Sequence, residues 1–134
     1  MTPFKLKIVT PDGLLFDGEA EELIVRTVGG DVAILARHID YVAPLGMGHA
    51  VVISGGQRRS AACIGGMLSV SNGEVTLVPT TFEWSEQIDL ARAEAALERA
   101  NKVLQDEKAS DIDITLAEAK LRRALVRKSV ASNK

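Results

Sequence analysis

The groups in this 134-residue chain that could do chemistry are few and scattered. Its two histidines, His38 and His49, have no cysteine or second histidine at metal-ligand spacing, which argues against a metal centre. Cys63, the sole cysteine, lies in the apolar run Ala61-Ala62-Cys63-Ile64, where a thiol is buried and inert and has no partner for an intrachain disulfide. Asp12, Asp17 and Glu19 could pair as carboxylates, yet they occupy a turn and exposed strand positions with no histidine or metal partner nearby in sequence. No Walker-type Gly-x-x-x-x-Gly-Lys loop is present, and nothing marks a Ser/His/Asp arrangement. The chain reads as a protein that works by contact and movement, not as an enzyme.

Charge narrows the partners. A net charge of −2 gives no reason to expect nucleic acid or an anionic membrane as the main partner. The N-terminus lacks the apolar stretch of a signal peptide, and no window approaches the roughly 20 apolar residues that span a bilayer. A soluble, cytoplasmic chain in a reducing compartment is expected. The charge is unevenly placed, however. From Lys120 onward, Lys120, Arg122, Arg123, Arg127, Lys128 and Lys134 occur with no acid among them. Such a run is either a solvated helix face or a terminus that seeks an acidic surface.

Two periodicities divide the elements that must position these groups. Residues 3 to 84 alternate apolar and polar side chains between Gly-rich turns, as in Phe4, Leu6 and Ile8 interleaved with Lys5 and Lys7. Pro11-Asp12-Gly13, Gly29-Gly30-Asp31 and Ser54-Gly55-Gly56-Gln57 supply turns. Asn72-Gly73, between Met67–Val70 and Val75–Val78, predicts a type I′ hairpin. Short strands at this spacing predict an all-β sandwich or flattened barrel over residues 1–84. The segment from Ala36 to Gly48, with Pro44, Gly46 and Gly48, reads as a long surface loop in which His38 serves a contact.

From Ile88 the spacing becomes helical. Leu90, Ala93, Leu97, Ala100 and Leu104 form one apolar stripe, and Ile114, Ala117, Leu121 and Ala124 repeat it. Large and small residues alternate in both, so an antiparallel pair could mesh leucines over alanines. Asp89 or Ser85 is the candidate N-cap of the first helix. Thr115-Leu116-Ala117-Glu118 fits a capping box for the second, with Asp113 an alternative cap. The expected architecture is α+β in two parts, an N-terminal sandwich (1–84) followed by a mobile antiparallel two-helix hairpin (85–134). With so few large aliphatics between them, the helices have little core of their own. They should need a docking site, and could exchange one for another.

The order of elements carries a resemblance. The stretch Val9-Thr10-Pro11-Asp12-Gly13-Leu14-Leu15-Phe16-Asp17-Gly18-Glu19-Ala20 resembles the start of epsilon subunits of bacterial F-type ATP synthases. Gly65-Gly66-Met67-Leu68-Ser69-Val70 with Val75-Thr76-Leu77-Val78 is similar too. So is Ile88-Asp89-Leu90-Ala91-Arg92-Ala93, which fits the Ile/Leu-Asp-x-x-Arg-Ala signature at the first helix. One segment departs from the family's Gly-Ile-Leu-Pro-x-His-Ala-Pro: Ala33-Ile34-Leu35-Ala36-Arg37-His38-Ile39-Asp40 keeps the histidine but neither the glycine nor the prolines.

The resemblance implies a non-catalytic central-stalk subunit that couples proton or sodium flow to rotation. Its sandwich would bind the gamma subunit and rest on the c-ring. Its C-terminal helices would move between a folded hairpin and an extended form that inhibits ATP hydrolysis in the catalytic alpha/beta head. Acidic segments of that head would attract Arg122 and Lys128, and His38 would meet a neighbouring subunit. The implied place is the cytoplasmic face of the cell membrane, peripheral and reached only through the complex. No cofactor would be required, with ATP as a possible regulatory ligand between the helices. The matching residues are Glu83, Ile88, Asp89, Arg92, Ala93 and Arg99, with Arg123 and Arg127 on the second helix. Four guanidinium groups meeting at two helices could neutralise a triphosphate. The plain alternative pairs these arginines with Glu94, Glu98 and Glu118 on exposed faces. A free-standing sandwich adaptor with a coiled-coil tail is the rival to the whole reading.

Overall fold

Alternation in the first 84 residues becomes eight strands in the computed structural model, which describes residues 2–132. They are β1 (Phe4–Thr10), β2 (Gly13–Ala20), β3 (Glu22–Thr27), β4 (Gly30–Ile34), β5 (Tyr41–Pro44), β6 (Met47–Ser54), β7 (Gln57–Ser71) and β8 (Glu74–Trp84). The hydrogen-bonded order is β2-β1-β8-β7-β6-β3-β4, with β5 on β7. All pairings are antiparallel except β1 with β8.

One long ribbon, β7–β8, serves both layers of this sandwich. The first half of β7 pairs with β6 from Gln57 to Ile64, and its second half pairs with β5 from Met67 to Val70. The change of partner falls at Gly65 and Gly66, whose φ angles are +67° and +101°. Glycine alone suits this corner. A Cβ on Gly66 would lie 2.0 Å from the Val78 carbonyl oxygen. β7 is therefore one strand bent through this glycine pair. At the ribbon's tip Asn72 and Gly73 both have positive φ, 52° and 77°, as a type I′ turn requires.

The inward residues of both layers make one core. Leu68, Val70, Val75 and Leu77 come from one end of the ribbon with Phe4, Leu6 and Ile8 of β1, and Cys63, Phe82 and Trp84 from the other end with Leu23 and Val25 of β3 and Val52 of β6. Phe82 and Trp84 stack edge-on at 4.9 Å, and the Arg59 guanidinium covers the Trp84 ring at 3.7 Å.

The expected long loop from Ala36 to Gly48 is corrected. Tyr41–Pro44 pairs with Val70–Met67 as β5, and β6 already starts at Met47. Pro44 disguised the strand, because proline is tolerated in a strand only where its missing N–H faces no neighbour. β5 is such an edge: β7 is its one partner strand among the described residues, and on the other side Pro44 offers only its carbonyl, which accepts the Val28 N–H at 3.1 Å. Residues 35–40 remain irregular, and Leu45 and Gly46 join β5 to β6.

The chain divides into two compact units, residues 1–84 and 85–134. The second opens with a 3-10 turn at Ser85–Gln87, then α1 (Leu90–Gln105) and α2 (Asp111–Ser132). Asp89 caps α1, its carboxylate accepting the Arg92 N–H at 3.1 Å. The capping box of α2 is not Thr115–Glu118. Ser110 Oγ accepts the Asp113 N–H at 3.1 Å, and the Asp113 carboxylate accepts the Ser110 N–H at 3.3 Å. The reciprocal pair outcompetes a later start because it satisfies two terminal donors at once. Thr115 instead sits inside the helix, its hydroxyl donating to the Asp111 carbonyl at 2.9 Å.

Candidate functional site

Small residues set the geometry of the hairpin. Ala93 and Ala100 of α1, and Ala117 and Ala124 of α2, are buried, while Leu97, Leu104, Ile114 and Leu121 are half-buried beside them. Alanine at the line of contact lets two backbones approach closely, and the flanking leucines close the edges. Both alanine pairs are seven residues apart. An antiparallel pairing across the short connection therefore sets Ala93 level with Ala124 and Ala100 level with Ala117.

Helical geometry then locates the arginines. Arg92 and Arg99 stand roughly 70–110° round α1 from its alanine line, and Arg123 and Arg127 stand at a similar angle round α2 in the same rotational sense. In antiparallel helices that sense brings both flanks to one side of the pair. Arg92, Arg123 and Arg127 share a level, and Arg99 stands about 10 Å nearer the connection. Lys120, which sequence reasoning placed only in the basic terminus, joins the same flank. Arg92 and Arg99 are exposed, and Arg123 and Arg127 half-buried. Glu98 pairs with Lys102 at 3.8 Å and not with an arginine.

The other residues of this set play different parts. Asp89 is committed to its capping bond, while Ile88 and Ala93 are 6% and 4% exposed. Glu83 belongs to the sandwich unit, on β8 opposite Ala62. Arg122 is exposed and points away from the alanine line, whereas Lys128 is half-buried near it. Lys134 lies outside the described residues.

The second place of interest is the loop of residues 35–40. His38 Nδ1 donates to the Ile39 carbonyl at 2.7 Å, which fixes the tautomer and leaves Nε2 as the acceptor of the neutral ring. The ring meets Tyr41 edge-on at 5.8 Å. Ile39 is 77% exposed, and Leu35 and Val42 also face solvent. Neighbouring Arg37 went unmarked in the sequence, since its positive φ has no signal in the residue type. Cys63 is buried as expected, and burial pushes its thiol up to about 12 from an ordinary 9.0, which disfavours the thiolate.

A sandwich followed by two helices, in that order and with these boundaries, can be set against known proteins. Residues 3–85 match the family described as ATP synthase, Delta/Epsilon chain, beta-sandwich domain. Residues 86–132 match its partner, ATP synthase, Delta/Epsilon chain, long alpha-helix domain. This chain belongs to the ATP synthase delta/epsilon family. The family resemblance expected from three short motifs thus extends across both units. The ATP synthase epsilon chain of Ruminococcus albus is 43% identical over the full length of both chains. That of Bacillus velezensis is 42% identical, covering 99% of this chain and 100% of the relative. Among solved structures, a chain of the Euglena gracilis mitochondrial ATP synthase (OSCP/F1/c-ring, rotational state 1) superposes with a TM-score of 0.85. It covers 100% of this chain and 83% of its own, at 23% identity. A chain of the Tetrahymena thermophila mitochondrial ATP synthase central stalk and c-ring gives 0.62 at 13% identity, covering 95% of each. At such identities the delta/epsilon fold is shared, and the likeness goes no further.

Proposed function

We propose that this chain is a non-catalytic central-stalk subunit of a rotary ATP synthase. Its sandwich binds the gamma subunit and rests on the c-ring, helping to couple proton or sodium flow to rotation. Two family matches that together span residues 3–132, and relatives named ATP synthase epsilon chain, support this reading. No helix among the described residues is long and apolar enough to cross a membrane. The subunit therefore reaches the cytoplasmic face of the membrane peripherally, through the complex.

The C-terminal hairpin is its regulatory arm. The observation that carries this is a second apolar stripe on α2. Besides the line facing α1, Ile112 and Leu116 are 73% and 53% exposed, and the half-buried Ala119 and Val126 continue their side at helical spacing. A helix with two apolar sides has a use for a second partner. In the extended state that partner is the catalytic alpha/beta head, whose acidic segments attract Arg122, Lys128 and the rest of the acid-free terminus. Deleting residues 86–134 should raise ATP hydrolysis by the reconstituted complex. Unchanged hydrolysis would remove the inhibitory role.

ATP holds the arm folded. Arg92, Arg99, Arg123 and Arg127 on one side of the hairpin supply guanidinium forks for a triphosphate, and binding stabilises that state by mass action. Titrating ATP into the isolated chain should give a saturable signal that weakens about tenfold or more in Arg92→Ala. A flat titration at millimolar ATP, or one indifferent to Arg92→Ala, ends the sensing role.

A further inference from the structure

Loop 35–40 holds a strained residue. Arg37 has a φ of 63°, a left-handed conformation that costs an L side chain free energy and normally falls to glycine or asparagine. The loop cannot relax, because it is fastened on both sides of His38's bond to Ile39. Asp40 Oδ1 accepts the Asn72 N–H at 2.9 Å, tying the loop to the β7–β8 turn, and the His38 ring abuts Tyr41. Strain that is held this firmly in an exposed loop points to a contact role for the side chain.

The Arg37 side chain lines an open depression of about 510 Å³ bordered by Phe4, Lys5, Ala36, His38 and Gly73. Its other charged groups have partners: Lys5 lies 3.8 Å from Glu74, and Asp40 holds the Asn72 N–H. The Arg37 guanidinium has no hydrogen bond or ion pair among the described residues. Apolar side chains flank it in sequence, Leu35 at 44% and Ile39 at 77% exposed.

We infer that this depression seats an acidic side chain on a neighbouring rotor polypeptide, with Arg37 as its fork and Ile39 and Leu35 covering apolar residues beside it. The inference rests on the stalk reading and adds a specific contact to it. Lys5 and Glu74 offset each other and the Asp40 carboxylate is committed to the Asn72 N–H, which leaves the Arg37 fork, without a partner among the described residues, to match one carboxylate bound bidentately. Apolar flanks fit a polypeptide better than a small free anion. Because the fold already holds the loop, docking does not have to order it.

The test uses the full chain and an ATP synthase preparation stripped of this subunit, with rebinding measured for wild type, Arg37→Glu, Arg37→Lys and Arg37→Gly. Rebinding should weaken roughly tenfold or more in Arg37→Glu and Arg37→Gly, and less in Arg37→Lys. The melting temperature of Arg37→Gly should equal or exceed that of wild type, since glycine relieves the left-handed strain. Equal rebinding of all four overturns the inference and leaves the stalk reading intact. Failure of the wild type to rebind defeats the stalk reading and this contact with it. Weak rebinding of Arg37→Gly together with a lowered melting temperature would assign Arg37 to packing, which also overturns the inference.

Discussion

Thr10 and Thr27 show how single side chains close this sandwich. Each is buried at the start of a hairpin, and each hydroxyl donates to a glycine carbonyl three residues on while accepting the N–H two residues on. The bonds at Thr27 are the tighter, 2.8 and 3.1 Å. Thr27→Val keeps the shape but leaves the Gly29 N–H and the Gly30 carbonyl without the hydroxyl. It should lower stability by about 1–2 kcal/mol in urea unfolding, and Thr27→Ser should recover most of that. Cys63 makes a prediction about pH. In the unfolded chain its thiol ionises near 9.0, in the fold only near 12. Between those values the unfolded chain releases a proton that the fold retains, so stability present below pH 9 is lost as pH rises through this window. The melting temperature of the wild type should fall more steeply above pH 9 than that of Cys63→Ala. An equal slope would remove the thiol as the cause.

Elements depend on where small residues stand. Gly65 and Gly66 let β7 leave one layer for the other, and Gly66→Ala should prevent the sandwich from forming, read as loss of the cooperative melt. In the hairpin the reciprocal cap at Ser110 and Asp113 fixes where α2 begins. Ser110→Ala should cost about 1 kcal/mol, visible as faster amide exchange in the first turn of α2 and not in α1. The apolar stripe at Ile112 and Leu116 was unmarked by sequence reading, which picked out Ile114, Ala117, Leu121 and Ala124. Periodicity finds the strongest stripe and is blind to a second one whose side chains are interrupted by Arg123 and Arg127.

At the scale of the whole molecule, the sandwich core is drawn wholly from Phe4–Trp84, including the single tryptophan. Residues 1–85 alone should therefore melt cooperatively with a buried Trp84 emission. The hairpin alone should show weak helicity, because its contact line is alanine and isolated helices of this length are marginal in water. This asymmetry is what the regulatory proposal needs: a rigid body carrying an arm that gains most of its order from a partner.

The sequence by itself determined the two periodicities, the turns at Pro11–Gly13 and Asn72–Gly73, and the alanine-leucine stripes. Each is a local matter of residue type and spacing, and the same local preferences act whatever the rest of the chain does. Only the tertiary structure decided that β5 exists, that β7 runs unbroken through two glycines, and that Arg37 is held in a left-handed turn. Strand β5 depends on an edge of β7 lying open to receive Tyr41–Pro44, and the Arg37 loop depends on Asp40 reaching Asn72 across 32 residues of chain. Such pairings are fixed by which surfaces meet after folding, and no pattern within a short window records them.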